Sequence, residues 1–407
     1  MRIDQLDLTN FRLFDDVSLD VGRRLTLMVG ENGSGKTSVL DALAIGLGSV
    51  STYLPGVSGR SFRKSGEIRQ VANRLEPYCR IALRARNGLL WDRTQRRDNS
   101  ALTRRLVPDA HGVRLLEQML DSEVLDPLNR GESYALPFYA YYGVSRALLD
   151  PPLRRRGFPS KHSRFQALDH ALDATSRFKS AFIWFYNKEH EEHRLQRQQR
   201  DFDVRLKELD VVRSAINRMF VDIEEPHIEL SPLRFMVTKQ GELFDIMQLS
   251  DGYRTLLGMV VDLSARMAMA NPHLDDPLAA EAVVLIDEVD LHLHPAWQQR
   301  VLGDLLRTFS NTQFIVTTHS PFIVEALNNY LKRYQIRELD IDNEEIRTMY
   351  ALNADDTKAY LLSEASVSSM LDPESGLLYD SLLDFFNTLN IRYELMRDIQ
   401  WESGAGD

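Results

Sequence analysis

Gly30-Glu31-Asn32-Gly33-Ser34-Gly35-Lys36-Thr37 decides the fold of this chain. It matches the phosphate-loop pattern G-x-x-x-x-G-K-[ST] in full. Upstream, Ile3, Leu6 and Leu8, then Val17 and Leu19, then Leu25, Leu27 and Val29 alternate with polar residues, which predicts three short strands. Downstream, Ser38 to Leu47 carries a helical pattern. Strand, loop and helix in that order are what a phosphate cradle needs. The glycines let backbone N–H groups turn inward, and the helix start adds its positive end. Lys36 is expected to reach the β and γ phosphates, and the Thr37 hydroxyl to ligate Mg²⁺. Gly30, Asn32, Gly33, Ser34, Gly35 and Ser38 complete the expected nucleotide-binding set.

Three further stretches fit that loop. In Val283-Val-Leu-Ile286-Asp287-Glu288, four apolar residues predict a buried strand with two carboxylates at its C-terminal end, where ligands sit in open α/β sheets. Asp287 is expected to hold Mg²⁺ through water, and Glu288 to polarise an attacking water. Leu249-Ser250-Asp251-Gly252-Tyr253-Arg254 precedes a helix that Ser250 is placed to cap. Its functional reading is contact between Ser250, the helix start and the γ-phosphate held by another subunit. Thr317-Thr318-His319-Ser320-Pro321 follows a buried apolar strand; a lone histidine there is usually structural, and the spacing after Glu288 gives His319 the alternative reading of a γ-phosphate sensor.

The rest of the chain sets bounds. With 407 residues, 43% hydrophobic, it is long enough for two or three lobes. No apolar run approaches the roughly 18 residues that span a bilayer. Met1-Arg-Ile-Asp-Gln-Leu-Asp reads as a strand and not as a signal peptide. A single cysteine, Cys79, excludes an intramolecular disulfide framework, and the expected location is the cytoplasm. The net charge of -10 excludes a uniformly basic surface. Residues 56–105 are nevertheless basic and residues 331–407 acidic, which suggests different partners for the two regions, or two ordinary solvated faces.

The predicted organisation is a split nucleotide-binding domain, 1–49 and 221–330, interrupted by two insertions. Residues 50–135 read as a basic lobe of small strands with a hairpin at Asn87-Gly88 and a helix near 112–124. Residues 136–220 read as a buried strand, a basic proline-punctuated loop with Arg154, Arg155 and Arg156, and a helical lobe whose Lys188–Leu209 stretch suggests a solvated arm. Residues 331–407 read as mainly helical with one or two short strands. Leu382, Leu383, Phe385, Phe386 and Leu389 there are either a docking stripe or core packing.

These four elements in this order resemble the ABC ATPase clan, in its soluble SMC- and RecF-like branch. Ser250-Asp-Gly-Tyr-Arg departs from the usual Ser-Gly-Gly signature. Asp287-Glu-Val-Asp-Leu-His-Leu-His-Pro-Ala-Trp-Gln-Gln-Arg300 and Tyr141-Tyr-Gly-Val-Ser-Arg146 resemble stretches of the ATPases of bacterial antiphage systems, especially Septu and some retrons. The resemblance covers residues 1–48, 136–150 and 245–325. It implies an α/β phosphate-loop ATPase with a mixed central sheet, which closes as a head-to-tail homodimer or higher even-numbered oligomer over ATP and Mg²⁺. It places Asp290 in a loop that crosses the dimer interface, and it implies a separate nuclease effector, of HNH type in Septu. His292 and His294 in that loop read either as a weak zinc pair or as helix-capping residues. A repair ATPase that binds DNA or RNA through the 56–105 lobe and the Arg154–Arg156 loop is the competing expectation. An ATPase joined to a Toprim nuclease has only Asp340-Ile341-Asp342 to offer, and a transporter subunit is disfavoured by the long basic insertion.

Overall fold

The computed structural model describes residues 1–63, 65–147, 163–174, 178–364 and 366–379, with 391 and 395–396 beyond them. The Arg154–Arg156 loop and the apolar residues at 382–389 lie outside the described residues.

Strands β1 (Ile3–Phe11) and β2 (Phe14–Asp20) form a hairpin, and β3 (Leu25–Gly30) runs through the phosphate loop into helix α1 (Lys36–Tyr53). A minor hairpin, β4 (Gln70–Val71) and β5 (Arg74–Leu75), precedes a longer one, β6 (Tyr78–Ala85) and β7 (Leu90–Arg96). Helices α2 (Ala101–Leu106), α3 (Val113–Leu120) and α4 (Asp126–Arg130) lead to β8 (Phe138–Tyr142). Next come α5 (Phe178–Gln199), α6 (Lys207–Met219), β9 (Ile223–Leu230), β10 (Leu233–Lys239), β11 (Glu242–Asp245) and α7 (Asp251–Ala270). The chain continues through β12 (Ala282–Ile286), α8 (Pro295–Gln298), α9 (Val301–Thr308), β13 (Thr312–Thr318) and α10 (Pro321–Gln335) to α11 (Glu344–Thr348), β14 (Thr357–Ser363) and β15 (Ser366–Ser369).

The central sheet has the order β15-β14-β3-β13-β12-β8. Every pairing in it is parallel except β14 with β15, so the sheet is mixed. β12 and β13 are buried along their whole length, as expected of apolar runs in a sheet covered on both faces. β13 lies between β3 and β12. The phosphate loop and the Asp287-Glu288 pair therefore leave the same edge of the sheet, one strand apart.

A second sheet, β2-β1-β6-β7, is antiparallel, and α1 lies between it and the central sheet. Close approach is possible because Gly46 has no side chain. A Cβ there would stand 2.5 Å from Leu83, and the Gly46 carbonyl accepts the Trp91 indole N–H at 3.0 Å. The larger hairpin of the basic insertion thus shares its sheet with the N-terminal hairpin. Much of the insertion's arginine is engaged internally. Arg80 pairs with buried Asp92, Arg60 with buried Asp41, and Arg93 donates to the carbonyls of Ile45 and Arg60.

The third sheet, β11-β10-β9, packs on the α5–α6 hairpin through Phe235, whose ring meets Phe178, Phe182 and Phe185. The arm expected at Lys188–Leu209 is not simply solvated. Glu189 and Glu192 face inward and are buried. Glu192 takes Arg213 at 2.8 Å and the Leu206 amide at 2.7 Å. Burial opposes the charge of Glu192, and these donors more than offset it, so its carboxyl stays below the ordinary range. Glu189 accepts the Ile228 amide and is pushed up to about 7 by burial.

The C-terminal region adds β14 and β15 to the central sheet beside β3. Its described part is thus built as much from strand as from helix.

Candidate nucleotide site

Gly35 caps α1 with φ 104°, a left-handed conformation that glycine adopts without strain. A Cβ there would also meet the Phe14 ring at 2.7 Å. Gly33, φ 84°, faces open space with nothing within 4 Å of a built Cβ. Asn32, Gly33 and Thr37 are exposed, whereas Ser34, Lys36 and Ser38 are buried. The Lys36 ammonium donates to the carbonyls of Gly30 and Glu31, both at 2.8 Å, and so folds back into its own loop. Burial lowers its pKa, opposed by the carboxylates of Asp287, Glu288 and Asp290. The buried Ser34 hydroxyl has no hydrogen-bond partner among the described residues.

Asp287 is 2% exposed and is gripped from both sides. Thr37 donates to its Oδ2 at 2.8 Å, and Thr317 of β13 donates to its Oδ1 at 2.6 Å. The same Thr317 oxygen accepts the Glu288 amide at 2.8 Å. That bond helps hold Glu288 at φ 48°, a left-handed conformation uncommon for a residue with a side chain. The Glu288 carboxylate and His319 Nε2 are 3.6 Å apart, each about a third exposed. Asp290 accepts a hydrogen bond from Thr318. Lys36, Thr37, Asp287, Glu288, Asp290 and His319, drawn from residues far apart in sequence, thus converge on one end of the sheet.

Ser250 and Gly252 form a separate part of the picture. Ser250 stands at the N-cap of α7, but its side chain makes no capping hydrogen bond, contrary to the capping role read from the sequence. It is exposed, with its hydroxyl at the start of a 20-residue helix. Asp251 in the first turn pairs with Arg254 at 2.5 Å. Gly252 packs on the loop after Glu288: a Cβ there would stand 2.5 Å from the His292 carbonyl oxygen. His294 caps α8, its Nδ1 accepting the Ala296 amide at 3.3 Å, which favours the capping reading over zinc for that residue.

Sequence reasoning passed over Thr317 and Thr318 as site residues, although two threonines at the end of an apolar strand were a visible signal. It also passed over a buried ion cluster behind the phosphate loop. There Asp41 of α1 pairs with Arg12 at 2.8 Å and Arg60 at 2.5 Å, and Arg12 also pairs with Glu67 at 2.8 Å. No local pattern links those four residues.

A phosphate loop before a helix, with a carboxylate pair one strand away in a mixed sheet, defines a nucleoside-triphosphatase class. The chain belongs to the AAA-domain family and is an ATPase: the model described as "AAA domain" matches residues 5–220, and that described as "AAA domain, putative AbiEii toxin, Type IV TA system" matches residues 121–325. Among its relatives, the Retron Vc95 probable ATPase of Vibrio cholerae serotype O1 biovar El Tor is 26% identical over 84% of this chain and 74% of its own length. The Septu protein PtuA of Bacillus mycoides is 30% identical over 46% of this chain and 24% of its own. An Smc head structure, solved with the C-winged helix domain of ScpA, shares the fold at a TM-score of 0.50 with 14% identity, covering 91% of this chain and 97% of that one. Among the described residues, no helix is long and apolar enough to cross a membrane.

Proposed function

We propose that the chain is the ATP-hydrolysing switch subunit of a cytoplasmic antiphage defence complex. In this reading it closes head-to-tail as a homodimer, or a higher even-numbered assembly, over ATP and Mg²⁺, and it regulates a separate nuclease effector, of HNH type by the Septu resemblance. The observation that carries the nucleotide part is the meeting of the Thr37 hydroxyl and the Asp287 carboxylate beside Lys36. The residues fit magnesium and a triphosphate. Thr37 and Asp287 offer hard oxygen donors, and the Gly33 cradle is open to phosphate oxygens.

Bound ATP–Mg²⁺ supplies an electrophilic γ-phosphorus whose oxygens share the developing charge. Lys36 exchanges the Gly30 and Glu31 carbonyls for the β and γ phosphates. Thr37 would hold the cation, and Asp287, aimed by Thr317, would hold it through water. Glu288 orients the attacking water and takes its proton as the bond to the β–γ bridging oxygen breaks and ADP leaves with that electron pair. His319, beside Glu288, meets the γ-phosphate. Ser250, Gly252 and the α7 N-terminus of the partner protomer close the site from the other side, with Asp290 at the junction. ATP favours the closed state, and its hydrolysis resets the switch.

The names of the retron and Septu relatives support the defence role. The repair-type reading needs the basic insertion free to meet nucleic acid, and the internal pairing of Arg60, Arg80 and Arg93 weighs against it. The deciding experiment is affinity capture of tagged Glu288→Gln protein, expressed from its own operon and held in ATP. ATP binding should persist while hydrolysis falls about 10²–10⁴-fold. A nuclease recovered in fixed ratio, whose DNA cleavage changes when ATP is added, supports the switch. Recovery of DNA without a protein partner favours the repair reading. Hydrolysis at the wild-type rate removes Glu288 as the base.

A further inference from the structure

Helix α8 is one turn long, and its last two residues, Trp297 and Gln298, reach different halves of the candidate site. The Trp297 ring meets the first turn of α7. It stands edge-on to Tyr253, ring centres 5.1 Å apart, and 5.4 Å from the buried Phe220. Tyr253 is held on its other sides as well. Its phenol donates to Asp222 at 2.8 Å, and the Lys239 ammonium sits 3.8 Å from the centre of its ring. Tyr253 lies three residues after Ser250, so an aromatic cluster anchored on α8 sets where the start of α7 points.

Gln298 turns to the other half. The Ser320 hydroxyl donates to its Oε1 at 2.6 Å, and its Nε2 donates to the Leu293 carbonyl at 2.8 Å. A carbonyl oxygen only accepts, so the amide must give its NH2 to Leu293 and keep its oxygen for Ser320. Ser320 is 6% exposed and directly follows His319. Leu293 belongs to the loop after Glu288, which Thr318 also ties to the His319 segment through Asp290. One amide side chain thus fastens the Glu288 loop to that segment at a second point.

In the proposed head-to-tail dimer these halves serve different nucleotides. Glu288 and His319 act on the ATP of their own protomer, and Ser250 closes over the ATP of the partner. We propose that Trp297 and Gln298 are positioning residues for two different ATP sites. Gln298 serves the site in its own protomer, through Ser320 and the Glu288 loop. Trp297 serves the site in the partner, through Tyr253 and Ser250. The inference rests on the composite-site reading and adds to it a division of labour within one helical turn. Two merely structural neighbours would fail alike, because loss of either would unsettle both halves of its own protomer. Residues that position separate sites fail differently, and mixed dimers tell the two cases apart.

The test measures ATP hydrolysis by full chains mixed in pairs. Trp297→Leu and Gln298→Met, each alone, should slow hydrolysis by about 10²-fold, with melting temperatures near wild type. Lys36→Ala disables a protomer's own site, and Ser250→Arg disables its partner's. With free subunit exchange, Trp297→Leu mixed with Lys36→Ala should recover about a quarter of the wild-type rate, and mixed with Ser250→Arg should recover nothing. Gln298→Met should do the reverse, recovering with Ser250→Arg and not with Lys36→Ala. Either variant recovered by both partners, by neither, or by the wrong one overturns the proposal, as does a wild-type rate in either variant alone. Should Trp297→Leu fail to fold, Tyr253→Leu, which removes the other ring of the contact, takes its place. If Lys36→Ala mixed with Ser250→Arg stays inactive, the composite-site reading itself falls, and that outcome is distinct because it involves neither Trp297 nor Gln298.

Discussion

Thr317 donates its hydroxyl proton to Asp287 across two neighbouring strands at 2.6 Å and, through the same oxygen, accepts the amide of Glu288. One side chain on β13 thereby aims the proposed metal ligand and fixes the backbone of the proposed base. Thr317→Val keeps the volume and removes the hydroxyl. A buried carboxylate oxygen that loses a donor costs about 1–3 kcal/mol, so phosphate release should slow by roughly 10- to 100-fold. ATP affinity should change far less. Steady-state hydrolysis beside nucleotide titration checks both, and an unaltered rate would show that Asp287 and Glu288 hold their places without Thr317.

The proposed composite site makes a prediction that needs two variants. Lys36→Ala removes the phosphate contact in one protomer, and Ser250→Arg blocks the exposed start of α7 in the other. Each protein alone should be inactive. Mixed, they form heterodimers with one intact interface, so hydrolysis should recover to about a quarter of the wild-type rate if the subunits exchange freely. A mixture as inactive as its components rules out the head-to-tail arrangement.

Gly252 tests the link between α7 and the loop after Glu288. The methyl of Gly252→Ala would stand 2.5 Å from the His292 carbonyl oxygen, so one of the two segments must move. The expected cost is about 1–3 kcal/mol, seen as a lower melting temperature, with weaker ATP-driven dimerisation in light scattering. Retention of both would mean that the loop yields freely.

Glu189 gives the fold a pH dependence. In the folded chain its carboxyl titrates at about 7, raised by burial, while the unfolded chain releases that proton in the ordinary carboxylate range. Between those values the folded state holds a proton that the unfolded state has lost. The stability contribution of Glu189 therefore falls as pH rises through this window and levels off above it. Glu189→Gln keeps an acceptor for the Ile228 amide and removes the charge. It should stabilise the protein by roughly 1–2 kcal/mol at pH 8 and by little at pH 5, as denaturant melts at the two pH values will measure.

The readable parts of the molecule were those where chemistry demands contiguous residues. The phosphate loop needs its glycines, lysine and threonine in one stretch, and β12 needs an apolar run followed at once by its carboxylates. Both announce themselves in the sequence. Other features depend on residues that meet only after folding. The Asp41 cluster joins residues near positions 12, 41, 60 and 67 through ion pairs that follow no periodicity. The inward turn of Glu189 and Glu192 was hidden because a charged helix reads as solvated until a partner such as Arg213 arrives from the next helix. β14 was obscured because its polar and apolar residues fit an edge as well as an interior strand. Ser250 shows the opposite case: a good capping residue in the capping position whose hydroxyl makes no cap.

The position of β3 between β13 and β14 has a consequence for how the protein is made. Leu25–Gly30, near the start of the chain, finds its two sheet partners only at Thr312–Thr318 and Thr357–Ser363. Contacts of such long sequence separation form late in folding. On the ribosome, the phosphate loop emerges early, yet its strand stays without either neighbour until most of the polypeptide has been synthesised. Fragments released before β13 lack Thr317 and His319 as well as the strand that joins β3 to β12. A half-made chain therefore lacks part of the proposed nucleotide site.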